Sequence, residues 1–104
     1  MTKILYLLIV LNLLFGASIS GTITNSIDGE PLPYTSIMIL NTDTGGATDI
    51  SGYYIIPNIN PGNYTLKIMI IGYMTIEKEI VINAINQKLN FELIPEPIQG
   101  NEIK

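Results

Sequence analysis

Two different hydrophobic patterns follow one another along the 104-residue chain. Ile4 to Phe15 form one apolar run that is interrupted only by Asn12. After residue 18, apolar and polar residues alternate at a period of two, which is typical of half-buried β-strands, and no sustained helical period appears. We therefore expect a short apolar leader followed by an all-β domain.

The leader has the three-part order of a secretory signal peptide. Lys3 supplies a positive charge, the apolar run follows, and Gly16, Ser18 and Ser20 supply the small residues that cleavage requires. The run is shorter than the ~20 apolar residues of a spanning helix, so we predict cleavage after Ser18 or Ser20 rather than a retained anchor. We assign residues 1–18 to a signal-peptide helix. The chain has no cysteine that could be acylated, which excludes a lipoprotein anchor.

The alternating rows predict which side chains form the core. Lys78 falls on the apolar face of its row, which predicts an edge strand carrying an inward lysine, or a β-bulge. Ile68 to Ile71 is apolar on both faces, which predicts a central strand or a contact surface. The predicted inward rows are Ile19, Gly21 and Ile23; Thr35, Ile37 and Ile39; Tyr54, Ile56 and Ile59; Tyr64, Leu66, Ile68 and Ile70; Ile76, Ile80 and Ile82; and Leu89, Phe91 and Leu93.

Turn signals separate these rows at a spacing of about 8–12 residues, which is typical of a sandwich or a barrel. Pro61-Gly62 has the order of a type II turn, in which proline presets φ and glycine takes the left-handed position. We expect two sheets packed face to face over residues 19–94, and a polar tail over residues 95–104. The predicted turns are Asp28-Gly29, Asn41 to Gly46, Ser51-Gly52, Asn60 to Gly62, Gly72, and Asn83 to Gln87.

Composition narrows the function classes. Hydrophobic residues make up 47% of the chain, and isoleucine dominates them. Only 13% of the chain is charged, and both features favour strands over exposed helices. Without cysteine or histidine the chain offers no thiolate, no imidazole base and no zinc cluster, so we expect no enzyme, no catalytic residue, no metal site and no cofactor. Five lysines against nine acidic residues give a net charge of −4, which argues against nucleic acid as a partner.

Four features of the sequence can be interpreted either as a functional site or as an ordinary structural element. Asp43 and Asp49 flank a Gly-rich loop and could bind Ca²⁺, but their spacing matches no EF-hand, and Asp49 is placed to cap a turn. Asn63-Tyr64-Thr65 is a formal glycosylation acceptor, although Asn63 directly follows Pro-Gly as a turn residue does. We favour the turn readings.

Acidic and aromatic side chains provide the other two features. Glu77 and Glu79 share one strand face, whereas glycosidase chemistry needs carboxyl groups set across a cleft. The six tyrosines could stack on sugars. The alternation places Tyr54 and Tyr64 on the inward faces of their strands, so we expect their rings in the core and their hydroxyls at its edge. The better candidates for exposure are Tyr34, Tyr53 and Tyr73.

Motifs spread over most of the mature chain resemble those of the carboxypeptidase regulatory-like domain. The likeness runs from about Ser20 to Leu93, and Ser51 departs from the Asp or Asn that many members carry before the glycine. Ser51 can still bond its local backbone, so we expect the turn to form. The motifs are Gly21-Thr-Ile-Thr-Asn25, Gly29-Glu-Pro-Leu-Pro33, Thr48-Asp-Ile-Ser-Gly-Tyr-Tyr54, Pro61-Gly-Asn-Tyr-Thr-Leu66 and Ile71-Gly-Tyr73.

This resemblance implies an all-β, seven-strand, transthyretin-like or immunoglobulin-like Greek-key β-sandwich. Members occur on secreted metallocarboxypeptidases, in bacterial surface proteins, and at the N-terminus of TonB-dependent outer-membrane receptors, ahead of the plug. The signal peptide directly before the sandwich most resembles the receptor arrangement. The implied location is the periplasm, outer membrane or cell surface of a Gram-negative-type bacterium.

The implied function is that of a non-catalytic accessory module. Its expected partner is a protein, either the rest of a receptor or a periplasmic component, with the membrane reached only through the receptor and no small-molecule substrate evident. A free-standing secreted or surface module that binds protein or carbohydrate is the alternative. An appendage of a secreted peptidase would require a catalytic domain with metal-binding histidines, and this chain has none.

Overall fold

The computed structural model describes residues 16–83 and 85–97. The predicted signal peptide therefore lies almost entirely outside the described residues. Among the described residues, none belongs to a helix long and apolar enough to cross a membrane. The strands are β1 Ala17–Asn25, β2 Ser36–Ile39, β3 Gly45–Ala47, β4 Tyr53–Ile59, β5 Gly62–Met69, β6 Ile76–Ile82, β7 Gln87–Lys88 and β8 Phe91–Leu93.

The strands form two sheets. In the first sheet, β1 lies between β4, which is antiparallel to it, and the two short strands β7 and β8, which are parallel to it. The second sheet is antiparallel with the order β3-β2-β5-β6. Because β7 and β8 lie on the same side of β1 and are separated by only Leu89 and Asn90, they act as one interrupted strand. The predicted seven-strand β-sandwich is thereby confirmed.

The core consists of the rows that the alternation predicts. The inward residues of β1, β2 and β4, with Leu66 and Ile68 of β5, are almost completely buried. The rows on β6 and the β7–β8 strand are half-buried at their open margins, as is Tyr64 near the start of β5. Among the strands of the described residues, β6 pairs only with β5, so it is an edge strand. The register from Gly62↔Ile82 to Ile68↔Ile76 is continuous, and Lys78 stands opposite the buried Leu66. Of the two explanations for Lys78, the edge strand is therefore confirmed.

A bulge in β4 lets Ile59 return to the core. Between the pairs Ala17↔Ile59 and Ile19↔Ile56, β1 has one residue, Ser18, whereas β4 has two, Pro57 and Asn58. The extra residue is accommodated where Asn58 has a φ of 62°. Asparagine tolerates this left-handed conformation better than most side chains, and a bulge of this kind shifts the following residue to the other face. Ile56 and Ile59 are consequently both buried despite their odd spacing.

The turn at Pro61-Gly62 differs from the prediction. Gly62 is the first residue of β5, pairs with Ile82, and has a φ of 157°, which is close to extended. A type II turn needs a φ of about 80° at this position, so the type II prediction is wrong. The ladder with β6 already includes Gly62, and the chain therefore reverses before it. The glycines predicted in the other turns, Gly29, Gly52 and Gly72, do have φ values between 76° and 93°.

Strand direction sorts the loops between two ends of the sandwich. β1 finishes at Asn25, beside the start of β4 at Tyr53, and Ser36 at the start of β2 pairs with Met69 at the finish of β5. We call the end formed by residues 26–35, 48–52, 70–75 and 94–97 the upper end. The lower end is formed by residues 40–44, 60–61 and 83–86.

Candidate interaction surfaces

Two buried threonines, Thr35 and Thr48, hold the loops of the upper end in place through hydrogen bonds. The Thr48 hydroxyl accepts from the backbone N–H of Thr35 at 2.8 Å and donates to the carbonyl of Leu32. The Thr35 hydroxyl donates to that same carbonyl at 3.1 Å. Both side chains are at most 2% exposed, so their polar groups depend on this network for hydrogen bonds instead of on water.

Large apolar side chains project from every loop of this end. Their exposed fractions run from 49% for Met74 to 98% for Ile71. Single exposed apolar residues are ordinary on protein surfaces, whereas a contiguous group marks a contact site. We call this group the upper apolar patch, and it consists of Ile27, Tyr34, Ile50, Ile71, Met74 and Ile94.

Tyr34 stands out in this patch by its backbone. Its φ is 61°, in the left-handed region that bulky residues rarely adopt, while its ring is 71% exposed. A hydrogen bond from its N–H to the carbonyl of Thr48, at 2.9 Å, holds it in place. Pro33 and Tyr34 occupy a turn, and a left-handed residue after proline is a common turn geometry.

The loops that carry the upper apolar patch also carry acidic side chains. Asp28, Glu30, Asp49 and Glu96 all lie exposed in these loops. The lysines of the described residues, Lys67, Lys78 and Lys88, all lie within strands. The upper end therefore combines exposed apolar side chains with negative charge.

A second candidate surface is the open side of the sandwich between β6 and the β7–β8 strand. A groove of about 830 Å³ runs there, with the half-buried Ile76, Ile80 and Phe91 among its walls and the lysines Lys78 and Lys88 at its margin. No strand of residues 16–83 and 85–97 pairs with the outer edge of β6 along this side. An unpaired edge of this kind can accept an extended segment, but an inward lysine on the edge strand discourages it.

The two aspartates that could have formed a Ca²⁺ site lie apart. Asp43 belongs to the lower end and Asp49 to the upper end, with β3 between them. The Oδ1 atom of Asp49 accepts from the N–H groups of Ser51 at 2.9 Å and Tyr53 at 3.0 Å. The turn-capping interpretation of Asp49 is confirmed, and the turn at Ser51-Gly52 forms as expected. Within residues 16–83 and 85–97, no three acidic side chains are grouped as metal ligands would be.

The remaining sequence features fall on the sheets. Asn63 lies within β5, opposite Val81, rather than in the turn we predicted. Glu77 and Glu79 are exposed on the outward face of β6, opposite Lys67 and Thr65 respectively. They belong to the solvated face of a strand.

The tyrosines divide almost as predicted. Tyr54 is buried and Tyr64 half-buried, and both hydroxyls bond backbone carbonyls, those of Leu89 and Asn60 respectively. Tyr34 and Tyr53 are exposed as expected. The expectation for Tyr73 is wrong, because it packs partly buried against the core and its hydroxyl accepts from the Asn25 amide at 3.2 Å.

Sequence reasoning identified only part of the upper apolar patch. Ile71, and Met69 beside it, were marked by the run that is apolar on both faces, and both are exposed. The alternating pattern does not identify Ile27, Ile50 and Met74, because they fall in turns rather than in alternating rows. An apolar residue inside a turn signal was the available sign, since turn residues are usually polar.

Comparisons with known proteins agree with this geometry. No curated protein matches the chain. A chain from a type II cohesin–X-dockerin complex of Acetivibrio cellulolyticus, in a C-terminal interface mutant, superposes with a TM-score of 0.65 at 23% identity, over 76% of this chain and 56% of that one. A candidate carbohydrate binding protein from Bacteroides uniformis gives 0.61 at 21% identity, over 76% and 41%.

A further neighbour is a candidate membrane-associated protein of unknown function from Bacteroides fragilis. Its TM-score is 0.58 at 18% identity, over 79% of this chain and 28% of that one. The chain thus spans about half or less of these solved proteins, and the likeness at such identities establishes the fold. The model of the CarboxypepD_reg-like domain matches residues 19–104. This chain belongs to the CarboxypepD_reg-like domain family.

Proposed function

We propose that this protein is a non-catalytic interaction module of an exported bacterial protein, namely the N-terminal periplasmic domain of a TonB-dependent outer-membrane receptor. The observation that carries the proposal is the position of the domain. Strand β1 begins at Ala17, immediately after the signal-like run from Ile4 to Phe15. A family domain directly behind an export signal is the arrangement that such receptors have.

The chemistry of the described surface supports contact rather than catalysis. The carboxylates of Asp28 and Asp49 accept backbone N–H groups within their own turns. The hydroxyl of Tyr54 is buried and bonded to a carbonyl. What the surface offers instead is the upper apolar patch and the open edge of β6, both of which suit a protein partner.

The reading frame beyond Lys104 tests the receptor proposal. We expect a plug-like segment followed by many amphipathic strands of about ten residues each, as in an outer-membrane barrel. Fractionation of the producing cells should then place the product in the outer membrane. A stop codon shortly after Lys104, together with recovery of the product in the culture medium, would rule the receptor out.

A free-standing secreted or surface module is the second candidate, and two tyrosines favour it. Tyr34 and Tyr53 each present a ring that is at least 41% exposed, as sugar-stacking platforms do. Calorimetry of the exported protein with polysaccharides distinguishes the candidates. Saturable binding that Tyr34→Ala abolishes and Tyr64→Phe leaves intact would favour the carbohydrate-binding module.

A further inference from the structure

We propose that the upper apolar patch is the docking surface for the domain that follows the sandwich in the same receptor polypeptide, and that the docked surface has an apolar centre with a rim of lysines or arginines. This inference rests on the proposed function, because it needs a following domain. It goes further by naming the surface, the charge of its counterpart and the end of the sandwich involved.

The two ends of the sandwich differ sharply in exposed apolar side chains. All four upper segments contribute one or more, and Ile71 is almost fully exposed at 98%. In the described residues of the lower end, Ile85 is the single large apolar side chain that is exposed. Because a concentration of exposed apolar side chains marks an interaction site, we infer that the upper end is covered in the working protein.

Hydrogen bonds between the upper segments make the patch one surface rather than several. The N–H of Ser26 donates to the carbonyl of Leu93 at 2.9 Å, and the N–H of Met74 donates to the carbonyl of Ile94 at 2.8 Å. Residues 48–52 are joined to the same end by the bond from the N–H of Ile23 to the carbonyl of Gly52, also at 2.8 Å. The apolar side chains are therefore carried on a single, mutually bonded platform.

The backbone of Tyr34 adds an independent observation. Pro33 and Tyr34 occupy a turn, in which a residue with a left-handed φ commonly follows proline. Tyr34 is 71% exposed, so this turn presents a large aromatic side chain at the upper end. Aromatic side chains are enriched in protein interfaces.

Charge selects among the possible occupants. Asp28, Glu30, Asp49 and Glu96 are exposed in the same loops as the patch, so a second copy docked end to end would bring like charges together. An anionic lipid surface would be repelled for the same reason. A protein surface with an apolar centre and a basic rim is complementary to both features.

The path of the chain decides where that surface comes from. The N–H of Glu96 donates to the carbonyl of Gly72 at 2.9 Å, which fixes the last described residues on the upper end. A domain that follows residues 98–104 in the polypeptide is thus tethered beside the patch. Covalent linkage raises the effective concentration of the linked domain at the patch, so weak apolar contacts are enough to keep it docked.

Site-specific photocrosslinking in the full-length protein, in the cells that produce it, tests the docking. A photoreactive residue replaces Ile71 in one version and Ile85, at the lower end and 72% exposed, in the matched control. We expect at least about tenfold more crosslinked peptide from Ile71, mapping by mass spectrometry to sequence beyond Lys104. A second version with Glu30→Lys and Glu96→Lys should lower the Ile71 yield about tenfold, because like charges would then face each other.

The outcomes separate this inference from the proposed function. If the frame beyond Lys104 encodes a plug and barrel but Ile71 yields no more crosslink than Ile85, the docking surface is wrong and the receptor assignment stands. Capture of a separate protein or of lipid at Ile71 also overturns it. If no plug and barrel follow, both fail together.

Discussion

The hydroxyl of Tyr54 donates to the backbone carbonyl of Leu89 at 2.6 Å, reaching across β1 at Gly21. Tyr54 is the register partner of Gly21 in β4, and a Cβ placed on Gly21 would lie 2.0 Å from the Leu89 oxygen. The missing side chain lets the chain approach β1 at the interruption between β7 and β8. The side-chain oxygen of Asn90 then accepts the N–H of Thr22 at 2.9 Å in place of a backbone partner.

This arrangement makes Gly21 the glycine least able to accept a side chain. We expect Gly21→Ala to lower the free energy of unfolding by about 3 kcal/mol or more, because the methyl meets backbone that cannot rotate away. Denaturant unfolding measures it. Gly46→Ala is the control, since its Cβ would have no neighbour closer than 3.5 Å. Equal stability of the two variants would contradict the close approach at Leu89.

Removing the Tyr54 hydroxyl should destabilise the domain moderately. Tyr54→Phe leaves the ring in the core but leaves the Leu89 carbonyl without this donor, at a cost of about 1–2 kcal/mol. Tyr64→Phe is the control, because the hydroxyl of Tyr64 bonds Asn60 at the exposed lower end. A larger loss from Tyr64→Phe would be inconsistent with this ranking.

The same hydroxyl gives stability a pH dependence on the alkaline side. Burial, with a smaller contribution from the neighbouring Tyr53, raises the pKa of Tyr54 to about 12. Its pKa when unfolded is about 10, so folding favours the protonated form. The stability that protonated Tyr54 contributes is complete below pH 10 and is lost as pH rises from 10 toward 12. The free energy of unfolding of Tyr54→Phe should fall less steeply with pH over that range than that of the unaltered protein. Identical slopes would contradict the raised pKa of Tyr54.

Thr48 should be indispensable to the upper end. Thr48→Val keeps the shape but leaves the N–H of Thr35 without its acceptor, which we expect to cost about 1–3 kcal/mol. Thr48→Ser retains the hydroxyl and should recover most of the loss. Thermal unfolding of both variants checks this, and a valine variant as stable as the serine variant would show that the hydroxyl network is dispensable.

Of the two predicted cleavage positions, the fold favours Ser18. Cleavage after Ser20 would remove Ile19, which is 0% exposed and pairs with Ile56. Losing a buried isoleucine costs about 2–5 kcal/mol, whereas cleavage after Ser18 removes only the methyl of Ala17 from the core. The intact mass of the exported product decides between them. A mature chain that starts at Gly21, or one that keeps residues 1–15, would contradict this expectation.

Local pattern predicted most of the fold because strand alternation is a property of neighbouring residues. It identified the inward rows, the left-handed glycines Gly29, Gly52 and Gly72, and an edge strand as one of two explanations for Lys78. It could not identify Asn90 as the partner of Thr22, since the two are 68 residues apart in sequence. The conformation of Gly62 escaped it for a similar reason, because pairing with Ile82 rather than the Pro-Gly order sets that backbone.

The contact surface was harder to predict than the core. Burial can be inferred from periodicity, but the residues of the upper apolar patch come from separate turns whose proximity depends on the sheet order. Ile71 was visible in the sequence because it extends an apolar strand, whereas Ile27 and Ile50 look like ordinary loop residues until the fold brings them to one end.

Uptake through the proposed receptor is the most direct measurement of whether this domain serves as an interaction module. Growth on a substrate that requires the receptor gene would be compared for an in-frame deletion of residues 19–94, for Ile71→Glu at the upper end, and for Ile85→Glu at the lower end. Because both glutamates replace exposed side chains, both variants should fold. We expect the deletion and Ile71→Glu to reduce uptake while Ile85→Glu leaves it unchanged. Normal uptake in all three strains would contradict the account.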